Sequence, residues 1–201
     1  MPKTLLLATT NPGKIREFKR LFEGSGIELL TPDREVEVEE KGCSFLENAY
    51  IKAEAYYRAF GIPTLADDSG LVVPALNGYP GIYSSRFYLI EFGGVEAVKE
   101  SKDKANIDKL LRLMQGVEDR RAYFYACLVV YLGEAGLWAE GRCDGIVLYQ
   151  PRGEGGFGYD PILQPEGYDR SMAELSPQEK DMVSHRGKAV RKLIKLIKML
   201  E

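Results

Sequence analysis

Hydrophobic positions along this chain come in two rhythms, and their alternation predicts an α/β protein. Lys3–Thr9 is a short apolar run closed by Thr10, Asn11, Pro12 and Gly13, the pattern of a buried strand ending in a tight turn. Ile15, Phe18, Leu21 and Phe22 then recur at helical spacing until Gly24. Ile27–Thr31 reads as a second strand, and Glu35–Glu40 alternates acids with valines as a solvated strand edge would. Ser44 and Glu47 form a capping box, so a helix is expected from there to about Phe60. Leu65 opens another strand, which should give way to a turn at Asp67, Asp68 and Ser69; Asn77–Gly81 is a further Gly- and Pro-rich turn.

The second half keeps the same alternation. Glu91–Glu100 and Lys104–Met114 read as helices, the latter with Ile107, Leu110, Leu111 and Met114 on one face. Arg121–Leu132 and Leu137–Tyr149 are β-rich runs around the Gly133–Gly136 turn, which predicts a long hairpin. Arg152–Pro161 is a glycine-rich loop carrying Phe157 and Tyr159. Ser176 and Pro177 start a short helical turn, and Ser184-His185-Arg186 precedes the last helix, striped by Val190, Leu193, Ile194, Ile197 and Leu200. Core packing accounts for that stripe better than a membrane surface does.

Composition narrows the class. At 201 residues, 45% hydrophobic and 28% charged, the chain supports a single domain with a real core. A net charge of -3 disfavours a nucleic acid polymer as partner but leaves room for a local anion pocket. The three cysteines show no CxxC or Cys/His spacing, which argues for reduced thiols in the cytoplasm. Leu5–Leu7 is too short for a signal-peptide core, and no apolar run nears the ~20 residues of a membrane span.

Several stretches carry candidate chemistry. The Thr9-Thr10-Asn11-Pro12-Gly13-Lys14 turn aims backbone N–H groups and an ammonium at one point, which suits a phosphate, although the P-loop spacing is absent. Neighbouring strand residues face opposite sides, so only one of Asp67 and Asp68 can meet a ligand as metal or general-base carboxylate; a solvated turn is the plainer alternative. Lys52, inside the second helix, reads by default as a surface lysine. His185 is the only histidine, and no GxSxG elbow exists, so a His-rich metal cluster or a hydrolase triad finds little support.

TTNPGKIRE (9–17), EKGCSFLENAYIKA (40–53), ADDSGLVVPALNGYPGIYSSR (66–86), GGFGYDPI (155–162) and ELSPQEKDMVSHRGKA (174–189) together resemble one family across nearly the whole chain. It is the inosine triphosphate pyrophosphatase family, also called the non-canonical purine NTP pyrophosphatase or Ham1-like family. The chain departs from its pattern at Lys41, where the family more usually has a hydroxyl or small residue. The resemblance implies a mixed, elongated α/β fold of two lobes: a central long sheet flanked by helices, and a substrate cleft between the lobes. It implies magnesium-dependent hydrolysis of ITP, dITP and XTP to the monophosphate and pyrophosphate, in a cytoplasmic homodimer.

Carried over residue by residue, the resemblance makes Glu40 and Asp68 the magnesium ligands and Asp68 also the general base. Thr9, Thr10, Asn11, Pro12, Gly13, Lys14, Lys52, Ser69 and Lys180 would hold the triphosphate. Phe157, Gly158, Tyr159 and Asp160 would meet the base, with Arg186 as donor to its 6-keto edge and His185 near it. Magnesium takes few protein carboxylates and lysine suits phosphate as a point charge, so these residue types fit that chemistry. Competing readings are a Maf-type house-cleaning pyrophosphatase, a nucleotide-binding sensor without turnover, and an RNA-binding module, the last disfavoured by charge.

Overall fold

Strand, capped helix and parallel strand open the structure, as the first apolar run and the Asn-Pro-Gly turn require. The computed structural model describes residues 2–200. Strand β1 (Thr4–Leu7) leads into helix α1 (Pro12–Leu21) and strand β2 (Glu28–Leu30), with β1 and β2 parallel in the register Thr4↔Glu28. The Asn11 side chain caps α1 by accepting the N–H groups of Gly13 and Lys14 at 2.8 and 3.2 Å, and Pro12 fills the first helical position without losing a bond. Helix α2 (Phe45–Phe60) starts at the Ser44 cap and stops at Gly61, whose left-handed φ of 68° closes it.

Strands β3 (Thr64–Val72), β4 (Arg121–Tyr131), β5 (Gly136–Val147) and β6 (Leu163–Pro165) complete a six-stranded sheet in the order β2-β1-β3-β4-β5-β6. β1 and β3 are parallel while β5 and β6 are antiparallel, so the sheet is mixed. The expected hairpin is present, β4 and β5 being sheet neighbours joined by a turn that Leu132 N–H closes onto Ala135 O at 2.9 Å. Helices α3 (Lys102–Leu113), α4 (Pro177–Val183) and α5 (His185–Met199) follow the same signals.

Of the described residues, those up to Asp68, Ala126–Gly141 and those from His185 onward form one compact unit; Ser69–Tyr125 and Arg142–Ser184 form a second. In the first unit the period-2 pattern splits the strands between two cores. Leu5, Leu7, Leu65 and Leu128 pack with Phe18 of α1 and Val190, Leu193 and Ile197 of α5, whereas Leu6, Ala8, Ala66 and Val129 pack with Ala49, Ala53 and Tyr56 of α2. Each fully buried Leu or Phe contributes about 2 kcal/mol, which fixes the register of β3 and therefore which aspartate faces which layer. The second unit has its own core, with Phe87, Leu110, Met114 and Ile162 at its centre.

Four expectations from the sequence fail. β3 does not turn at Asp67–Ser69 but runs to Val72, because both aspartates find buried surroundings; the turn comes after Val73, with Asn77 left-handed at φ 54°. Glu91–Glu100 forms no helix, since Gly93 and Gly94 adopt φ of 70° and 85° and a Cβ at Gly93 would strike Leu113; a 3₁₀ segment precedes it at Gly81–Leu89. Glu35–Glu40 is not a strand; the stretch between β2 and α2 has no helix or strand. Leu200 falls beyond α5 and is exposed, so the stripe ends at Ile197.

Candidate active site

Alternation along β3 places two adjacent carboxylates on opposite layers of the first unit. Asp67 shares the face of Leu65, toward α1 and α5, and Asp68 shares that of Ala66, toward α2. Both are buried, yet their partners differ.

Asp67 is charge-compensated through one of its oxygens. Its Oδ2 lies 2.8 Å from Lys14 Nζ and accepts from Arg186 Nε at 3.2 Å, while Arg186 Nη1 reaches Glu17 Oε2 at 3.4 Å. Burial alone would raise the Asp67 carboxyl, but Arg186 and Lys14 outweigh it and hold the group well below the usual carboxylate range. Burial pulls the Lys14 ammonium below its ordinary value, with Asp67 opposing. Gly141 on β5 seats this network, since a Cβ there would lie 1.9 Å from His185 O at the start of α5.

Asp68 is the less compensated member, with no cation among the described residues in direct ion pairing to it. Its Oδ2 is buried with no hydrogen-bond partner among the described residues. Burial pushes its carboxyl up to about 6, Glu40 and Asp67 adding to the rise while Lys52 and Lys14 oppose it. Lys52 reaches inward from α2, with Nζ 2.5 Å from Glu40 Oε1 and 3.1 Å from Asp67 O. Burial disfavours its charge, yet Glu40 and Asp68 outweigh that and raise its pKa. The default reading of Lys52 as a surface lysine is therefore wrong.

An orphaned carboxylate oxygen beside a second carboxylate is a fit for a hard divalent cation. Among the described residues no three His, Cys, Asp or Glu side chains gather as a ligand group. A cavity of about 660 Å³ in this unit is lined by Thr9, Thr10, Asn11, Glu35, Glu40 and Lys52, among others. The first-turn N–H groups of Gly13 and Lys14 already bond Asn11 Oδ1, and the cavity is lined on this side by Thr9, Thr10 and Asn11.

The second unit holds a separate constellation on the glycine-rich loop. Asp160 Oδ2 accepts both the Phe157 N–H at 3.0 Å and Lys180 Nζ at 2.7 Å, and Lys180 Nζ sits 4.8 Å from the centre of the Phe157 ring. A Cβ at Gly156, whose φ is 71°, would lie 2.0 Å from Asp160 Oδ2, so only glycine lets the loop close on this carboxylate. Lys180 is placed by α4, where Ser176 and Glu179 form a reciprocal capping box.

Comparison with known proteins identifies the family. The sequence pattern of the Ham1 family matches residues 5–196. The chain belongs to the Ham1 family. A relative from Aquifex aeolicus (strain VF5), named dITP/XTP pyrophosphatase, is 58% identical over 197 residues, 98% of each chain. Another of that name, from Bacillus anthracis, is 46% identical over 200 residues, covering 95% of this chain and 94% of its own. The solved structure of the Staphylococcus aureus Ham1 protein is 37% identical with a TM-score of 0.81, covering 98% of this chain and all of that one.

In this Ham1 chain the residues singled out by sequence fall into two groups. Thr9–Lys14, Glu40, Lys52, Asp68, His185 and Arg186 belong to the first unit, and Ser69, Phe157–Asp160 and Lys180 to the second. Tyr159 does not offer a ring face to a ligand: it is buried in the second core and its hydroxyl donates to Ser84 O at 2.7 Å. His185 is not a loop residue before α5 but its first residue, and it is buried. Sequence reasoning left out Glu17, whose only signal is its position one helical turn after Lys14, and the cavity wall at Glu35–Val38.

Proposed function

We propose that this chain hydrolyses nucleoside triphosphates bearing deaminated purines, ITP, dITP and XTP, to the monophosphate and pyrophosphate. The observation that carries the reading is Asp68: a buried carboxylate with an unpartnered oxygen, beside Glu40 and Lys52. Family membership and relatives named dITP/XTP pyrophosphatase support the substrate class.

Asp68 has the properties of a general base. Without a bound cation, burial raises its carboxyl to about 6, so it is ionised at neutral pH and more basic than an ordinary carboxylate. The water oxygen bonds to the α-phosphorus, its proton goes to Asp68, and the α–β bridging bond breaks with its electrons on pyrophosphate. Lys14 and Lys52 offset the charge of the tail and of the leaving group, and Thr9, Thr10 and Asn11 orient it. Glu40 and Asp68 would hold magnesium, which supplies further neutralisation of the phosphate oxygens when bound.

Phe157 provides a face for the base, with Lys180 drawn to its ring and held by Asp160. Hypoxanthine and xanthine present an acceptor at position 6 where adenine presents a donor, and Arg186, with His185 near, is the donor proposed to read it. A buried donor left unmatched costs about 1–3 kcal/mol, enough for useful discrimination against adenine. The proposal extends to a cytoplasmic homodimer acting on free nucleotides, not on a nucleic acid polymer or a membrane. No helix among the described residues is long and apolar enough to cross a membrane.

The test is a turnover panel of ITP, XTP, GTP, ATP and a pyrimidine triphosphate with magnesium. Pyrophosphate release fastest from ITP or XTP is expected; orthophosphate as sole product, or preference for the pyrimidine, would reject the reading.

A further inference from the structure

Helix α3 carries three polar residues at successive three-residue steps, Asp103, Asn106 and Lys109, and all three hold backbone of the second unit. Asn106 Oδ1 accepts the Tyr88 N–H at 2.8 Å and its Nδ2 donates to Ser85 O at 3.3 Å. Lys109, fully buried, donates to Phe87 O at 2.8 Å and to Ile90 O. These bonds tie the 3₁₀ segment Gly81–Leu89 to α3, and Ser84 O of that segment receives the Tyr159 hydroxyl. One turn earlier on the same helix, Asp103 Oδ2 accepts the Gly158 N–H at 2.9 Å.

The loop proposed to carry the base platform is thus pinned on both sides of Phe157's successor residues. Gly158 is held by Asp103, Tyr159 by the segment that Asn106 and Lys109 fix, and Phe157 N–H by Asp160. Gly158 has a left-handed φ of 61°, a conformation a free glycine loop would leave readily. A hydrogen bond to a charged acceptor offsets that freedom.

We propose that Asp103 is a positioning residue for base recognition, setting the place of the Phe157 ring through the Gly158 N–H. The inference rests on the function proposed above. Asp103 also lies in the first turn of α3, where any acid favours the helix dipole, and that is the purely structural alternative.

Substitution separates the two. Asp103→Ala should raise KM for ITP about tenfold with kcat within about twofold, the worth of roughly one such hydrogen bond. Inhibition by tripolyphosphate, which has no base, should be unchanged. Asp103→Asn keeps an oxygen acceptor for Gly158 but loses the charge, so it should restore KM, whereas a helix-dipole role would leave it as impaired as alanine. An unaltered KM in Asp103→Ala, equal weakening toward ITP and tripolyphosphate, or failure of Asp103→Asn to rescue would overturn the inference alone. Absence of pyrophosphate release by the unsubstituted protein would overturn it together with the proposed function.

Discussion

Lys14 Nζ lies 2.8 Å from Asp67 Oδ2, so a lysine proposed to meet the triphosphate is already held by the carboxylate next to Asp68. Arg186 grips the same oxygen from α5, and Glu17 grips Arg186. Two consecutive aspartates therefore have different work. Asp67 anchors cations, and Asp68 is kept basic by burial and like charge.

Neutralising each aspartate should separate stability from chemistry. Asp67→Asn leaves Lys14 and Arg186 short of their counter-charge inside the protein and should cost about 3–5 kcal/mol of stability. Asp68→Asn removes a buried, poorly compensated charge, so its melting temperature should equal or exceed that of the unsubstituted protein while turnover falls about 10²–10⁴-fold. Thermal melts paired with a pyrophosphate assay check both; near-normal turnover in Asp68→Asn would remove it from the mechanism.

Arg186 gives a second stability-linked case. Arg186→Ala should destabilise by about 3 kcal/mol or more, because Glu17 and part of the demand of Asp67 are left buried and unmatched. Arg186→Lys keeps the charge but loses the fork that spans two carboxylates, so it should fall between. In the folded fraction, preference for ITP over ATP should shrink with Arg186→Ala; an unchanged ratio would make Arg186 an anchor only.

Much of this was legible from residue order. The Ser44 and Ser176 caps, the β4–β5 hairpin and the opposed faces of Asp67 and Asp68 all follow from local rules of spacing and hydrogen bonding. What was hidden depends on partners far along the chain. Asp67-Asp68-Ser69 looks like a turn until Lys14 and Arg186 arrive from positions 53 and 119 residues away (67 − 14 and 186 − 67). Tyr159 looks like a ligand-facing ring until Ser84 takes its hydroxyl, and Glu91–Glu100 looks helical until the close approach of Leu113 demands glycine at Gly93.

Acid should loosen α4, the helix that presents Lys180. Arg170 and the Ser176 N–H hold the Glu179 carboxyl down to about 2 in the folded protein. A depressed carboxylate stabilises above its unfolded pKa of 4.5, and that contribution fades as pH falls toward 2. Melting temperature should drop across this window, and Glu179→Gln should flatten that part of the profile; an unchanged slope would discount the cap.

Removing magnesium with EDTA should abolish turnover, and resupply should restore it. Millimolar magnesium should also raise the melting temperature of the unsubstituted protein by mass action, an effect lost in Asp68→Asn and in Glu40→Gln. A shift that survives both substitutions would place the cation elsewhere.

The most direct measurement is hydrolysis of ITP in ¹⁸O-water, with mass analysis of both products. Water attacking the α-phosphorus under Asp68 should deliver the label to inosine monophosphate and leave pyrophosphate unlabelled. Label in pyrophosphate, or release of orthophosphate with the diphosphate, would contradict it.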